Sequence, residues 1–74
     1  MVSQHNTYEF SLYNSEVRKL VEIGEKHKQI DDSWADQRYI QVRAKSEEKA
    51  RTEASRRYPE RRGYVFTSVT EFVD

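Results

Sequence analysis

Residues 38–72 read RYIQVRAKSEEKARTEASRRYPERRGYVFTSVTEF, and this stretch decides the fold. At its start, Ile40, Val42 and Ala44 alternate with polar or aromatic residues. Because successive side chains of a β-strand point to opposite faces, this alternation predicts a strand with one buried face.

A capped helix is predicted to follow this strand. Ser46 is a strong N-cap, because its hydroxyl can accept a hydrogen bond from a backbone N–H that has no partner within the helix. Ala50, Ala54 and Tyr58 share one helix face, and the two alanines allow the helix axis to lie close to a sheet. Pro59 disfavours helical geometry at the preceding residue, so the helix is predicted to end there.

Beyond the proline, Gly63 permits a turn into a last strand over residues 64–72, which are rich in aromatic and β-branched side chains. The register of this strand is ambiguous from the pattern alone. A bulge near Ser68 would bring Phe66 and Val69 to the same side of the sheet.

The N-terminal half predicts a further strand and helix. Residues 1–6 are polar and are expected to be disordered, and the alternation around Phe10 predicts a strand. Asn14 or Ser15 can cap a helix that runs to about Gln29. Five residues share one face of that helix, and the glycine among them is expected to mark a close approach to the sheet: Val17, Leu20, Val21, Gly24 and His27.

The motif DDSWAD has no clear period. Asp32 or Ser33 can cap a short turn that buries Trp34. Asp31 and Asp36 add further carboxylates, which hard cations bind, but the spacing and glycine of a calcium-binding EF-hand loop are missing. We therefore expect these aspartates to cap turns and contact solvent, with no metal bound.

These elements predict a single α+β domain over residues 1–74, with the order β-α-β-α-β, a three-stranded sheet and both helices packed on one face. The other face is then predicted to carry one side of the last strand and four further residues: Tyr13, Tyr39, Gln41 and Arg43. Aromatic side chains on an uncovered face favour a binding surface. The alternative stays open that tyrosine occurs there because of its high β-propensity.

Composition narrows the functional class. The chain has 74 residues and no cysteine, so it has neither a disulfide nor a thiolate zinc site. Its 13 lysines and arginines balance 13 aspartates and glutamates, which disfavours a general binder of polyanions. Apolar runs are far shorter than the roughly 20 residues that cross a bilayer, and a secretory signal pattern is lacking. We expect a cytoplasmic protein that does not bind membranes.

Residues that commonly perform catalysis are sparse. His5 lies in the polar N-terminal stretch, and His27 is expected to be a half-buried residue on the helix face. Neither has an evident carboxylate partner, which a histidine that activates a nucleophile would need. The chain has two glycines and no glycine-rich loop to hold a phosphate. We therefore expect a protein that is not an enzyme and holds no cofactor.

Arginine and tyrosine side chains cluster where the second helix is predicted to end: Arg56, Arg57, Arg61 and Arg62, with Tyr58 and Tyr64. Arginine contacts phosphates and aromatic rings stack on bases, so nucleic-acid binding is the second hypothesis. Glu53 and Glu60 lie in the same segment and reduce its positive charge.

The segment YIQVRAKSEEKARTEASRRYP and the following GYVF resemble the DpnD/PcfM-like proteins of phages, plasmids and bacteria, over about residues 38–66. The similar pattern is a strand, then Ala, Ser and Glu-Glu, an alanine-bearing helix and a terminal Tyr. The resemblance implies an accessory protein of bacterial or mobile-element origin, and it implies no catalytic residues.

We therefore predict a small non-enzymatic module that binds a protein partner, with a homodimer as one form. A phage-type inhibitor such as an anti-CRISPR is a second, more specific form, which rests on size and resemblance. Tyrosine and arginine are the residues most often found at interface hot spots. The predicted partner-binding residues are Tyr13, Tyr39, Arg43, Arg56, Arg57, Arg61, Arg62 and Tyr64.

Overall fold

The computed structural model describes residues 5–72 of the chain. Their elements are, in order, β1 (Asn6–Asn14), α1 (Ser15–Glu22), η1 (Asp32–Ala35), β2 (Arg38–Ala44), α2 (Glu47–Arg57), η2 (Glu60–Arg62) and β3 (Tyr64–Phe72), where η denotes a 3-10 helix. The predicted α+β class and the β-α-β-α-β order are confirmed.

The first strand lies at the centre of the sheet, whose order is β2-β1-β3. Both neighbours run antiparallel to β1, so β2 and β3 run parallel to each other. Parallel strands need a crossover connection, and α2 supplies it. The stretch 38–72 is thus a β-α-β unit whose two strands are separated by β1.

One face of the sheet, here called the covered face, packs against α2. Tyr8 and Phe10 of β1 and Val42 of β2 form a buried cluster with Ala50 and Ala54 of α2. Partly buried apolar side chains surround this cluster: Ile40, Ala44, Phe66 and Val69. The two small alanine side chains allow close contact between helix and sheet, as the sequence predicts.

The predicted bulge in the last strand is present. The pairing with β1 passes from Phe66 to Ser68, so Thr67 is the extra residue. An extra residue interrupts the alternation of side chains along the strand. Phe66 and Val69 therefore both pack against the buried cluster.

The predicted signals at the ends of α2 are also confirmed. Ser46 Oγ accepts a hydrogen bond of 3.2 Å from the Lys49 N–H. The helix ends at Arg57, two residues before Pro59. Gly63 has a φ of +98°, in the left-handed region that glycine favours, and allows the turn into β3.

The first helix is shorter than predicted, because it ends at Glu22. Gly24 has a φ of +77° and donates its N–H to the Val21 carbonyl, while the Glu25 N–H donates to the Leu20 carbonyl. This pair of bonds around a left-handed glycine is a Schellman motif, which ends a helix. The expectation that Gly24 marks a close approach to the sheet is wrong, since a Cβ there would meet no described atom within 4 Å.

The predicted apolar face of α1 is therefore only partly used. Val17 is completely buried and Leu20 is half-buried, whereas Val21 is exposed. His27 lies beyond the end of the helix, in the following loop.

The two helices lie differently against the sheet. α2 lies across the covered face, whereas α1 packs mainly against η1 rather than against any one strand. Since β1 ends at Asn14 and α1 begins at Ser15, no linker allows the chain to fold back over the sheet. The expectation that both helices cover one face thus holds for α2. The molecule is elongated, with extents of 53 × 18 × 15 Å.

The first strand begins at Asn6, within the stretch 1–6 that is expected to be disordered. Asn6 pairs with Ala44, and its Nδ2 donates a hydrogen bond of 2.7 Å to Glu71 Oε2. Residues 1–4 lie outside the described part of the chain.

Candidate functional site

The face of the sheet opposite α2, here called the open face, carries alternate residues of all three strands. Residues that pair directly across antiparallel strands share a face. The open face comprises Thr7, Glu9, Ser11 and Tyr13 of β1, Tyr39, Gln41 and Arg43 of β2, and Val65, Ser68, Thr70 and Phe72 of β3. The predicted placement of Tyr13, Tyr39, Gln41 and Arg43 is therefore confirmed.

The open face has an exposed aromatic residue on each edge strand, and a group of hydroxyl side chains joins β1 to β3. Tyr39 is 64% exposed and Phe72 is 47% exposed. In the same row across the sheet as Tyr39, Ser11 Oγ lies 2.6 Å from Thr67 Oγ1 and 2.5 Å from Ser68 Oγ. The hydroxyl groups satisfy one another, so the rings are the groups that gain most when another surface covers this face.

The Tyr13 side chain is less exposed than that of Tyr39. The guanidinium carbon of Arg18 lies 3.7 Å from the centroid of the Tyr13 ring, and Arg18 Nε donates a hydrogen bond of 2.8 Å to the Ala35 carbonyl. This stacking covers one side of the ring and connects the sheet to α1 and η1. Tyr13 thus has a structural contact that the sequence pattern did not reveal.

Arg43 lies at the far end of the open face from Tyr13. Arg43 and Phe72 flank Thr7 on either side, because both pair with that residue of the central strand. This end therefore combines a guanidinium with an exposed ring, the two kinds of side chain that are enriched at interface hot spots.

The arginines predicted to belong to the same surface lie elsewhere. Arg56 and Arg57 are in the last turn of α2, on the other side of the sheet, and both donate hydrogen bonds to the Glu53 carboxylate. Arg61 and Arg62 belong to η2, after the helix. The eight predicted residues therefore form at least two separate groups, with only Tyr13, Tyr39 and Arg43 on the open face.

Tyr64, the remaining predicted residue, lies in a cluster of three rings. The centroid of the Trp34 ring lies 5.3 Å from that of Tyr58 and 5.2 Å from that of Tyr64, and the two tyrosines are 5.3 Å apart. Burial is the main cause that raises the pKa of Tyr64, and the neighbouring Tyr58 raises it further. The cluster joins η1, the end of α2 and the start of β3, and its rings are largely engaged with one another.

A buried asparagine, Asn14, fixes η2, the turn that carries Arg61 and Arg62. Asn14 is completely buried, and its Oδ1 accepts two hydrogen bonds of 3.0 Å from N–H groups in the first turn of α1. Its Nδ2 donates to the Arg62 carbonyl at 3.0 Å, and the Ser15 N–H donates to the Gly63 carbonyl at 2.7 Å. The predicted capping role of Asn14 is confirmed, and the same side chain also holds η2 against α1.

His27 is half-buried, but in a loop rather than on the predicted helix face. Its Nδ1 accepts hydrogen bonds from the N–H groups of Gln29 and Ile30, at 3.0 and 3.1 Å. Its Nε2 lies 3.5 Å from Glu16 Oε1. Because Nδ1 accepts two hydrogen bonds from the backbone, this histidine helps to fix the conformation of the loop.

The aspartate motif caps a turn, as expected, but the capping residue differs from the prediction. Asp31, rather than Asp32 or Ser33, caps η1 by accepting a hydrogen bond of 2.8 Å from the Ser33 N–H. Hydrogen bonds from the backbone and side chain of Ser33 lower the pKa of Asp31. Trp34, in this turn, is half-buried. Over residues 5–72, no three histidine or acidic side chains are grouped to hold a metal ion.

The chain matches no protein-family model, and its comparison with curated proteins and with solved structures gave no match. No helix in the described part of the chain is both long and apolar enough to pass through a membrane. The resemblance to DpnD/PcfM-like proteins therefore stays a hypothesis.

Proposed function

We propose that this protein is a non-enzymatic module that binds a protein partner through its open face. The observation that carries this proposal is the exposure of Tyr39 and Phe72, at 64% and 47%, on the face that α2 does not cover. Tyrosine combines a large apolar ring with a polar hydroxyl, so it can contact water in the free protein and bury its ring in a complex.

The spacing of the two rings favours a protein surface over a small ligand. Tyr39 lies beside Ser11 and Phe72 lies beside Thr7, four positions apart along β1. At about 3.4 Å per residue, this separates the two positions by roughly 14 Å along the strand direction. A partner that contacts both rings must span this distance with a flat or gently curved surface.

Two more specific forms of this proposal follow, one from the resemblance to DpnD/PcfM-like proteins and one from the exposed face and edges of the sheet. A small accessory protein of bacteria or mobile elements, including a phage-type inhibitor such as an anti-CRISPR, would act by covering part of a larger protein. A homodimer would bring two open faces, or two strand edges, together. Sedimentation over a concentration series tests the homodimer, and a monomer mass at every concentration contradicts it.

Site-specific photocrosslinking tests the open face directly. A benzoylphenylalanine at Tyr39 is expected to give one dominant adduct with a protein of the native host. The matched control is the same photoreactive residue at Thr52, an exposed position on α2. Equal adducts at both positions, or none at Tyr39, would contradict the proposal.

Nucleic-acid binding is the second candidate, and one observation favours it. Within residues 5–72, neither Arg61 nor Arg62 has a carboxylate within ion-pair distance. The other members of the cluster are less suited, because the rings of Tyr58 and Tyr64 pack together and Glu53 binds the last-turn arginines.

Titration with short DNA and RNA at two salt concentrations tests this candidate, since phosphate contacts are strongest at low salt. If it is correct, Arg61→Glu weakens binding more than Arg56→Glu, because Arg56 is already paired with Glu53. No binding at low salt eliminates the candidate.

A further inference from the structure

The two edges of the sheet differ in their charge. β2 carries Arg38 and Arg43 among its 7 residues, whereas β3 carries only Glu71 among its 9. The Glu71 carboxylate also accepts hydrogen bonds from Asn6 Nδ2 and the Tyr8 hydroxyl, at 2.7 and 3.3 Å. Charged side chains commonly prevent an edge strand from pairing with other chains. The edge of β3, with Glu71 as its charged residue, has little protection of this kind.

The backbone of β3 has unpaired groups along its outer side. In the described part of the chain, β3 pairs with β1 alone. Alternate N–H and C=O groups of its outer edge therefore point away from the sheet. The bulge at Thr67 interrupts this row, and the longer regular part covers residues 68–72. An extended peptide has donors and acceptors at the spacing that such an edge requires.

A groove runs beside this edge on the covered face. It is lined by Phe10 and Phe66 of the sheet and by Arg51, Ala54 and Ser55 of α2. The helix packs chiefly over β2, so the groove beside β3 stays open. Its volume is about 110 Å³, whereas sites for drug-sized ligands enclose about 300–1,000 Å³. The groove is therefore suited to a single side chain.

We propose that an extended segment of a protein partner pairs with β3 as a fourth strand and inserts one aliphatic side chain into this groove. Strand pairing places every second side chain of the added segment on the covered face, next to α2. Main-chain hydrogen bonds then supply affinity, and the groove between Phe66 and Ala54 selects the aliphatic residue. The inference rests on the proposed function for the existence of a protein partner, but it assigns the contact to a different surface.

Selection from a displayed library of random peptides tests this inference, with the full chain as the target. An enriched peptide is then synthesised and titrated into ¹⁵N-labelled protein. The enriched sequences are expected to share one aliphatic position. The amide resonances of β3 and Ser55 are expected to shift, and amides within 68–72 are expected to exchange more slowly with solvent.

Two variants of α2 provide the matched comparison. Ser55→Leu fills the groove from an exposed helix position and is expected to weaken peptide binding by about tenfold, the effect of losing one well-packed anchor. Thr52→Leu adds the same side chain at an exposed position outside the groove and is expected to leave the affinity unchanged. A far-ultraviolet circular dichroism spectrum confirms that both variants fold.

Several outcomes would overturn the inference: no enriched peptide, shifts confined to the open face, unchanged binding to the Ser55→Leu variant, or an edge already occupied by a second copy of the chain. A failure of the proposed function can be distinguished from a failure of this inference. A host partner that binds the Tyr39→Ala variant normally but not the Ser55→Leu variant supports the β3 edge against the open face. The reverse result supports the open face and overturns the inference.

Discussion

The two faces of the sheet are built from the same strands but have different physical roles. On the covered face, Phe10 and Leu12 are 1% and 0% exposed. On the open face, Tyr39 is 64% exposed although it pairs directly with the same central strand. In so small a domain, hydrophobic stabilisation comes mainly from one layer of contacts, those of the covered face. The open face therefore carries exposed side chains that contribute little to this stabilisation.

The largest expected difference compares one aromatic residue from each face. Phe10 contacts Phe66 edge-to-face, with ring centroids 5.6 Å apart, and Phe10→Ala is expected to lower the free energy of unfolding by about 3–5 kcal/mol. Tyr39→Ala is expected to lower it by less than about 0.5 kcal/mol. Since a domain of this size has a total stability of roughly 4–11 kcal/mol, the Phe10 variant is expected to be close to unfolding. Urea denaturation measures both values, and equal losses in the free energy of unfolding would contradict the distinction between the two faces.

Contacts outside the covered face are also expected to contribute to stability. Gly63 and Gly24 both have positive φ, at +98° and +77°, so alanine at either costs about 1–2 kcal/mol in backbone strain. A Cβ at Gly63 would also lie 2.8 Å from Asn14 Oδ1 and from Glu16 Cγ, whereas a Cβ at Gly24 would meet no described atom within 4 Å.

Gly63→Ala is therefore expected to be more destabilising than Gly24→Ala, by roughly 1–3 kcal/mol, the usual cost of overpacking. Urea denaturation of the two variants makes the comparison directly. Equal losses would mean that the contact between η2 and α1 adjusts freely and does not contribute to stability.

The smallest expected effect concerns pH. Burial raises the pKa of Tyr64, so the folded protein holds the phenolic proton more tightly than the unfolded chain does. The resulting contribution to stability is complete below the ordinary tyrosine pKa of 10.0 and is lost as the pH rises through the folded value. Thermal unfolding between pH 8 and 11 is expected to show this loss in the wild type and a smaller loss in Tyr64→Phe. An identical decline in both proteins would contradict it.

Local signals in the sequence predicted the C-terminal half well. The Ser46 cap, the stop before Pro59 and the run 64–72 depend on the backbone preferences of a few adjacent residues, and all three are present in the structure. The alternation of β2 also gave the correct division of its side chains between the two faces. Such features need no knowledge of distant contacts.

Features that depend on distant contacts were not predicted. Asn14 donates to the Arg62 carbonyl, 48 positions later, and Trp34 packs against Tyr58 and Tyr64. Gly24 fits either a helix face or a helix end, and only the hydrogen bonds around it decide between them. The predicted partner-binding residues lie in separate groups, because Arg56 and Arg57 belong to α2 on the covered face and Arg61 and Arg62 belong to η2.

The most direct test of the central claim is solvent paramagnetic relaxation, measured by NMR with a water-soluble gadolinium complex at low protein concentration. If one face of the sheet is open, the ring protons of Tyr39 and Phe72 will relax much faster than those of Phe10 and the methyl protons of Leu12. Similar relaxation for both sets, or protection of Tyr39 at every protein concentration, would contradict an open face.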